Sequence, residues 1–233
     1  LFTDRQFGKK ALLWGALAQS IPDIDFVTAF WMGPTEQLIA HRSFTHSILF
    51  ALLISFFFLL TAERFHRPHD ISHRIAWARM GCAVTIIYLA YSLINKFTVE
   101  SDIQKIAAKQ GIQYQRHFTT PSPFNTWLWF FVMENKDGYT TGYRSVFDRS
   151  DSLRVSWHPR NEYLLDSIKD HTEVQNLKKF SQGFYTVEKR GDTLKFNDLR
   201  FGQEVGWYDP LQPFAFHYYL THPEDNNLVV QRG

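Results

Sequence analysis

The sequence predicts an α-helical transmembrane bundle followed by a small α+β soluble domain with an antiparallel sheet. Three observations predict it. Residues 44–62 (FTHSILFALLISFFFLLTA) hold no Asp, Glu, Lys or Arg over 19 residues. Residues 80–95 (MGCAVTIIYLAYSLIN) form a second uncharged run, of 16 residues. Charge is also unevenly divided: 9 basic and 6 acidic side chains in residues 1–97, mostly outside the apolar runs, against 16 and 17 spread evenly over 98–233. The boundary is therefore placed after Phe97, with a membrane domain at 1–97 and a soluble domain at 98–233.

Residues 11–21 (ALLWGALAQSI) end at Pro22 and suit a half-span, or the end of a helix that begins before Leu1. Residues 44–62 make about 28 Å of helix, close to the ~30 Å hydrocarbon core. The run at 80–95 extends back to Ile75 if Arg79 snorkels to the interface. Between the two runs stand Arg64, Arg67, Arg74 and Arg79. The positive-inside rule assigns that stretch to the cytoplasm, and the chain before Phe44 and after Phe97 to the extracytoplasmic side.

In the second part, SDIQKIAAKQG (101–111) reads as a short helix capped by Ser101 and stopped by Gly111. TWLWFFVM (126–133) and YTTGYRSVF (139–147) flank ENKDG, a hairpin signal. The first of these strands is apolar on both faces, one of them for the membrane interface, the helices or an ordinary core. Leu164, Leu165, Ile168, Val174, Leu177 and Phe180 recur at mostly helical spacing over 161–180. A second hairpin turns at Arg190-Gly191-Asp192, and PFAFHYYL (213–220) reads as a late strand. Together these give an α+β domain on an antiparallel sheet.

Composition excludes several functions. The net charge is +2, so no global field attracts nucleic acid. Cys82 is the single cysteine, which leaves no internal disulfide and no cysteine-based zinc ribbon. There is no Gly-x-Ser-x-Gly elbow, Walker loop or dinucleotide fingerprint. His158, His171, His217 and His222 show no ligand-like spacing, and Asp198-Leu199-Arg200 reads as a structural ion pair in a turn.

The chemistry concentrates before the first long apolar run. Pro22-Asp23-Ile24-Asp25 and His41-Arg42-Ser43-Phe44-Thr45-His46-Ser47 place two carboxylates and two imidazoles within 24 residues. Carboxylate oxygens with neutral imidazole nitrogens suit a divalent ion, zinc first, with manganese or iron as alternatives. On one helix His41 and His46 would point roughly 140° apart, so they converge only if a helix begins between them. Ser43 is a fitting N-cap for that start. Asp23 and Asp25 share a side only in extended or turn backbone, which Pro22 favours. Arg42 offers a planar fork to a phosphate or carboxylate, or a salt bridge to Asp23 or Asp25.

The runs GALAQSIPDIDF and HRSFTHS resemble the signature of the inner-membrane-associated metal-dependent hydrolases (the LexA-regulated, YdjM-like family), over about residues 9–60. The PSPFNTWLW and FSQGFY stretches are similar to the C-terminal domain of its longer members. The resemblance implies Asp23, Asp25, His41 and His46 as metal-site residues, with Arg42 and Thr45 beside them, in a bacterial inner membrane. The chain departs from the family in lacking an initial Thr-His helix and a later H-x-x-x-D block. His66 and Asp70 have the block's spacing but fall in the basic stretch, and the expectation is that an N-terminal piece and a pair of helices are missing.

The function expected is a membrane-embedded metal-dependent hydrolase acting on a lipid or other phosphoester at the membrane interface. Asp23, Asp25 and Arg42 would be catalytic. The alternative is a non-enzymatic membrane protein whose 98–233 domain binds a protein partner or assembles a complex.

Overall fold

The structure is a computed structural model that describes residue 35 and residues 71–123, 125–221 and 229–232. The chain divides into two compact units, Leu1–His69 and Asp70–Gly233. Of the first unit, Thr35 alone is described, as helical and buried. The second unit holds all the other described residues.

That second unit opens with one helix, α1 (Ile71–Lys109). Its C-terminal half buries Val99, Ile103, Ile106 and Ala107, the i, i+4, i+7, i+8 stripe of a helix with one packed face. Gly111 ends it. At φ +69° Gly111 lets its own N–H reach the carbonyl of Ala108 while Ile112 N–H reaches that of Ala107. That pair of bonds is a Schellman cap, and Ile112 packs on the cluster beneath it. Ser101 begins nothing: the helix runs straight through the position predicted as a cap, and the boundary predicted after Phe97 falls inside it.

Among the described residues, eight strands come after the helix, in two antiparallel meanders. The first sheet has the order β1 (Arg116–Pro121), β2 (Leu128–Glu134), β3 (Gly138–Ser145) and β4 (Val155–Pro159). The second has β5 (Tyr185–Arg190), β6 (Thr193–Gln203), β7 (Phe214–Thr221) and β8 (Val229–Arg232). β2 and β3 turn at the ENKDG signal, and β5 and β6 at Arg190–Thr193. Consecutive pairing of this kind needs only short connections.

β2 explains the layering. Its side chains alternate, so Trp129, Phe131 and Met133 join Val99, Ile103 and Ile106 of α1 in one core. Phe130 and Val132 point the other way, into a second core with Tyr139, Phe184, Leu199 and Phe214. The strand is apolar on both faces because a helix lies on one and the second sheet on the other. The span predicted as one helical stretch, 161–180, is two pieces: a 3-10 turn at Glu162–Leu165 and α2 (Thr172–Phe180). α2 buries Val174, Leu177 and Phe180, and Phe180 stacks on Phe201 of β6.

The predicted fold class is corrected here. Among the described residues there are two α-helices and two antiparallel sheets, and no helix is long and apolar enough to cross a membrane. The physical reason lies in the run at 80–95. Sixteen residues make only about 24 Å of helix, short of a ~30 Å core. Thr85, Ser92 and Asn95 interrupt it, and the helix continues as the charged, packed segment beyond Lys96. The orientation read from the basic stretch depended on that run crossing, and is without that support. The predicted span at 44–62 lies outside the described residues.

Candidate functional site

All five predicted site residues, Asp23, Asp25, His41, Arg42 and His46, lie outside the described residues, as does Thr45 beside them. Among the described residues, no group of three or more His, Cys, Asp or Glu could hold a metal ion.

What the second unit does contain is polar chemistry of two kinds. The first is an ion triad. Register pairs Arg116 of β1 with Glu134 of β2, and the loop after β4 brings Arg160 to the same carboxylate. Arg116 Nε donates to Glu134 Oε2, and Arg160 Nη2 donates to Oε1 at 2.5 Å. Both guanidiniums also lie on rings, Arg116 over Phe184 at 4.6 Å and Arg160 over Tyr139 at 5.1 Å. The Glu134 side chain is 9% exposed. Burial alone would raise its pKa, but the hydrogen bonds and charges of both arginines outweigh that and hold it below the usual carboxylate value. Tyr139 donates to the Gly183 carbonyl at 2.5 Å, and burial pushes its hydroxyl up to about 12. The triad therefore clamps the β2–β3 turn to the segment entering β5. Both carboxylate oxygens are taken, so its chemistry is structural.

The second is a polar seam between the sheets. Thr186 and Glu188 of β5 stand opposite Asn197 and Lys195 of β6. Asn197 Nδ2 donates to Glu188 Oε1 at 2.8 Å and to Thr186 Oγ1 at 3.2 Å. Lys195 is buried, which draws its pKa down against the opposing pull of Glu188. His158 of β4 meets Thr141 Oγ1 at 3.0 Å and rests edge-on against Phe214. Burial lowers its pKa too, again opposed by Glu188. Glu188 is thus the common charge of the seam.

On β6, Asp198 is bound by Arg200 at 2.6 Å while Arg200 lies over Phe180 and Phe201. The ion pair read from sequence is present, in a strand and not in a turn. Its place is next to a register shift at which Gly202 takes φ +73°.

Arg116, Glu134 and Arg160 were not legible as a group. They are separated by 18 and 26 residues, and only the strand register brings them together. The one signal for the group in the sequence was the ENKDG turn, which fixes where β2 ends.

A long helix, exposed and apolar at residues 86–89, joined to two antiparallel sheets defines an α+β class of protein. Residues 1–100 match the model of the YdjM inner membrane protein family. The family resemblance read from the PDID and HRSFTHS motifs is borne out, and with it association with an inner membrane. The match carries no statement of hydrolysis or metal dependence. No curated protein and no solved structure matches the chain.

Proposed function

We propose that the chain is a metal-dependent hydrolase of the inner membrane, with a lipid or other phosphoester as its substrate class. The observation that supports this is the donor set within the matched residues: Asp23, Asp25, His41 and His46 next to the charge-free run at 44–62. Two hard carboxylates and two imidazoles fit zinc, and manganese or iron after it. A divalent ion, if held there by Asp23, Asp25, His41 and His46, would supply Lewis acidity and lower the pKa of bound water toward neutral. Whichever of Asp23 and Asp25 did not hold the ion would be placed to accept a proton from water. Arg42, fixed between the two histidines, grips the anionic group of the substrate with its planar fork.

The test is hydrolysis of phospholipid headgroups by purified protein reconstituted into vesicles, after chelation and after addition of zinc or manganese. Activity that returns with metal in the wild type and not in Asp25→Asn supports the reading. Protein that is equally inactive with and without metal favours the non-enzymatic alternative, in which residues 98–233 bind a partner.

A further inference from the structure

The second unit carries an apolar end that the hydrolase reading does not use. In α1, Ile86, Ile87, Tyr88 and Leu89 are all exposed, and four successive helical positions cover the whole circumference. A protein partner would take one face of such a helix; a surrounding apolar phase takes all of them. At its lower limit the helix is tied to the β domain. Trp127 Nε1 donates to the Tyr91 hydroxyl at 2.8 Å, and Asn95 Nδ2 donates to Thr126 Oγ1 at 2.8 Å. The part of α1 before Tyr91 thus projects beyond the end of the sheet at which Trp127 sits.

The same end bears a second apolar feature. Phe147, just past β3, packs against Trp127 with ring centroids 6.2 Å apart, and both are at least half exposed. Two residues inside β3, Tyr143 holds the loop that follows β6. Gln203 N–H donates to the Tyr143 hydroxyl at 3.1 Å, and Trp207 stands edge-on to the Tyr143 ring at 6.4 Å. The loop is braced from within. Gln203 Nε2 donates to the carbonyls of Pro210 and Gln212, and Asp209 accepts from Leu211 N–H and Gln212 Nε2. So held, it presents Tyr208 at 88% exposure and Leu211 at 91%. The opposite end of the same β2–β3 hairpin exposes Lys136 and Asp137.

We infer that this end of the domain docks on the membrane surface, with Trp127, Phe147, Trp207, Tyr208 and Leu211 in the headgroup–acyl boundary and the apolar part of α1 in lipid. Tyr and Trp are the side chains that favour this depth, since each has an apolar body and a polar tip. The occupant is a bilayer because the exposed patch continues into a helical turn, residues 86–89, that is exposed and apolar on every side. The inner-membrane match also covers that helix as far as residue 100. The inference rests on the inner-membrane reading and is independent of hydrolysis.

The experiment uses the full chain with Cys82→Ser and single nitroxide-labelled cysteines at Ile87, Lys136, Tyr208 or Leu211. Each protein is reconstituted into vesicles of phosphatidylethanolamine and phosphatidylglycerol, and label collisions with oxygen and with a water-soluble nickel chelate are compared. Labels at Ile87, Tyr208 and Leu211 are expected to favour oxygen, and the label at Lys136 to favour nickel. If Tyr208 and Leu211 match Lys136 while Ile87 still favours oxygen, the docking inference fails and immersion of α1 stands. If Ile87 favours nickel as well, the membrane reading of this helix fails first. Labels at 208 and 211 shielded from both reagents would mean cover by protein, and would also overturn the inference.

Discussion

At Glu134 two cations, Arg116 and Arg160, converge on one carboxylate. Removing the charge leaves Arg116 and Arg160 facing each other with no anion between them. Arg116 is half exposed, so the ~3–5 kcal/mol typical of breaking a buried pair is discounted, and Glu134→Gln is expected to destabilise the domain by about 2 kcal/mol in urea unfolding. The sign of the pH effect follows from the lowered carboxyl pKa. Its contribution is present above the ordinary value near 4.5 and disappears as pH falls through the depressed folded value. Wild type should therefore lose more stability than Glu134→Gln between pH 5 and the acid limit. Equal acid limbs would show that the triad is not what couples this domain to protons.

His158 acts in the opposite sense. Its pKa is lowered by burial from 6.5, so the unfolded chain binds its proton at a higher pH than the native domain does. Stability should rise with pH from the folded value up to about 6.5 and be flat above it. His158→Gln keeps a hydrogen-bonding group near Thr141 and removes the titration. Its urea midpoint should be flatter than wild type across that interval, and an unchanged slope would assign the proton to another group.

At the scale of elements, the strands were more legible than the helices. The turn residues of ENKDG and Arg190-Gly191-Asp192 announce hairpins locally, and β2–β3 and β5–β6 form there. Helix extents depend on contacts far along the chain. α1 runs through Ser101 because Asp102, the residue right after it, is gripped by Arg144 Nε at 2.8 Å and Nη2 at 2.5 Å across 42 residues. Nothing in SDIQKIAAKQG foretells that arginine. The stretch 161–180 is interrupted at 166–171, where turns closed by Ile168 N–H to the Leu165 carbonyl and His171 N–H to the Ile168 carbonyl separate the 3-10 turn from α2. Arg144 is nearly fully buried, so Asp102→Ala strands a charge and is expected to cost about 1–3 kcal/mol, Asp102 itself being partly exposed. Hydrogen exchange should show amides at 99–107 losing protection ahead of the second sheet. If both respond alike, α1 and the sheets open as one unit.

At the scale of the whole molecule, the two units carry different chemistry. The candidate chemistry belongs to Leu1–His69, where spacing and donor type alone bring Asp23, Asp25, His41 and His46 together as a proposal. The second unit supplies a braced β domain and an apolar end suited to lipid. A local motif identifies ligand chemistry without a fold, whereas the triad and the seam exist only once strands are in register. The central claim is that the motif holds a divalent ion. The measurement that tests it most directly is elemental analysis of detergent-purified protein, wild type against His46→Ala, with both proteins checked for the same circular-dichroism spectrum. Zinc, manganese or iron above the buffer background in the wild type and lost in the variant is the result predicted; metal at background in both, with the fold intact, would contradict it.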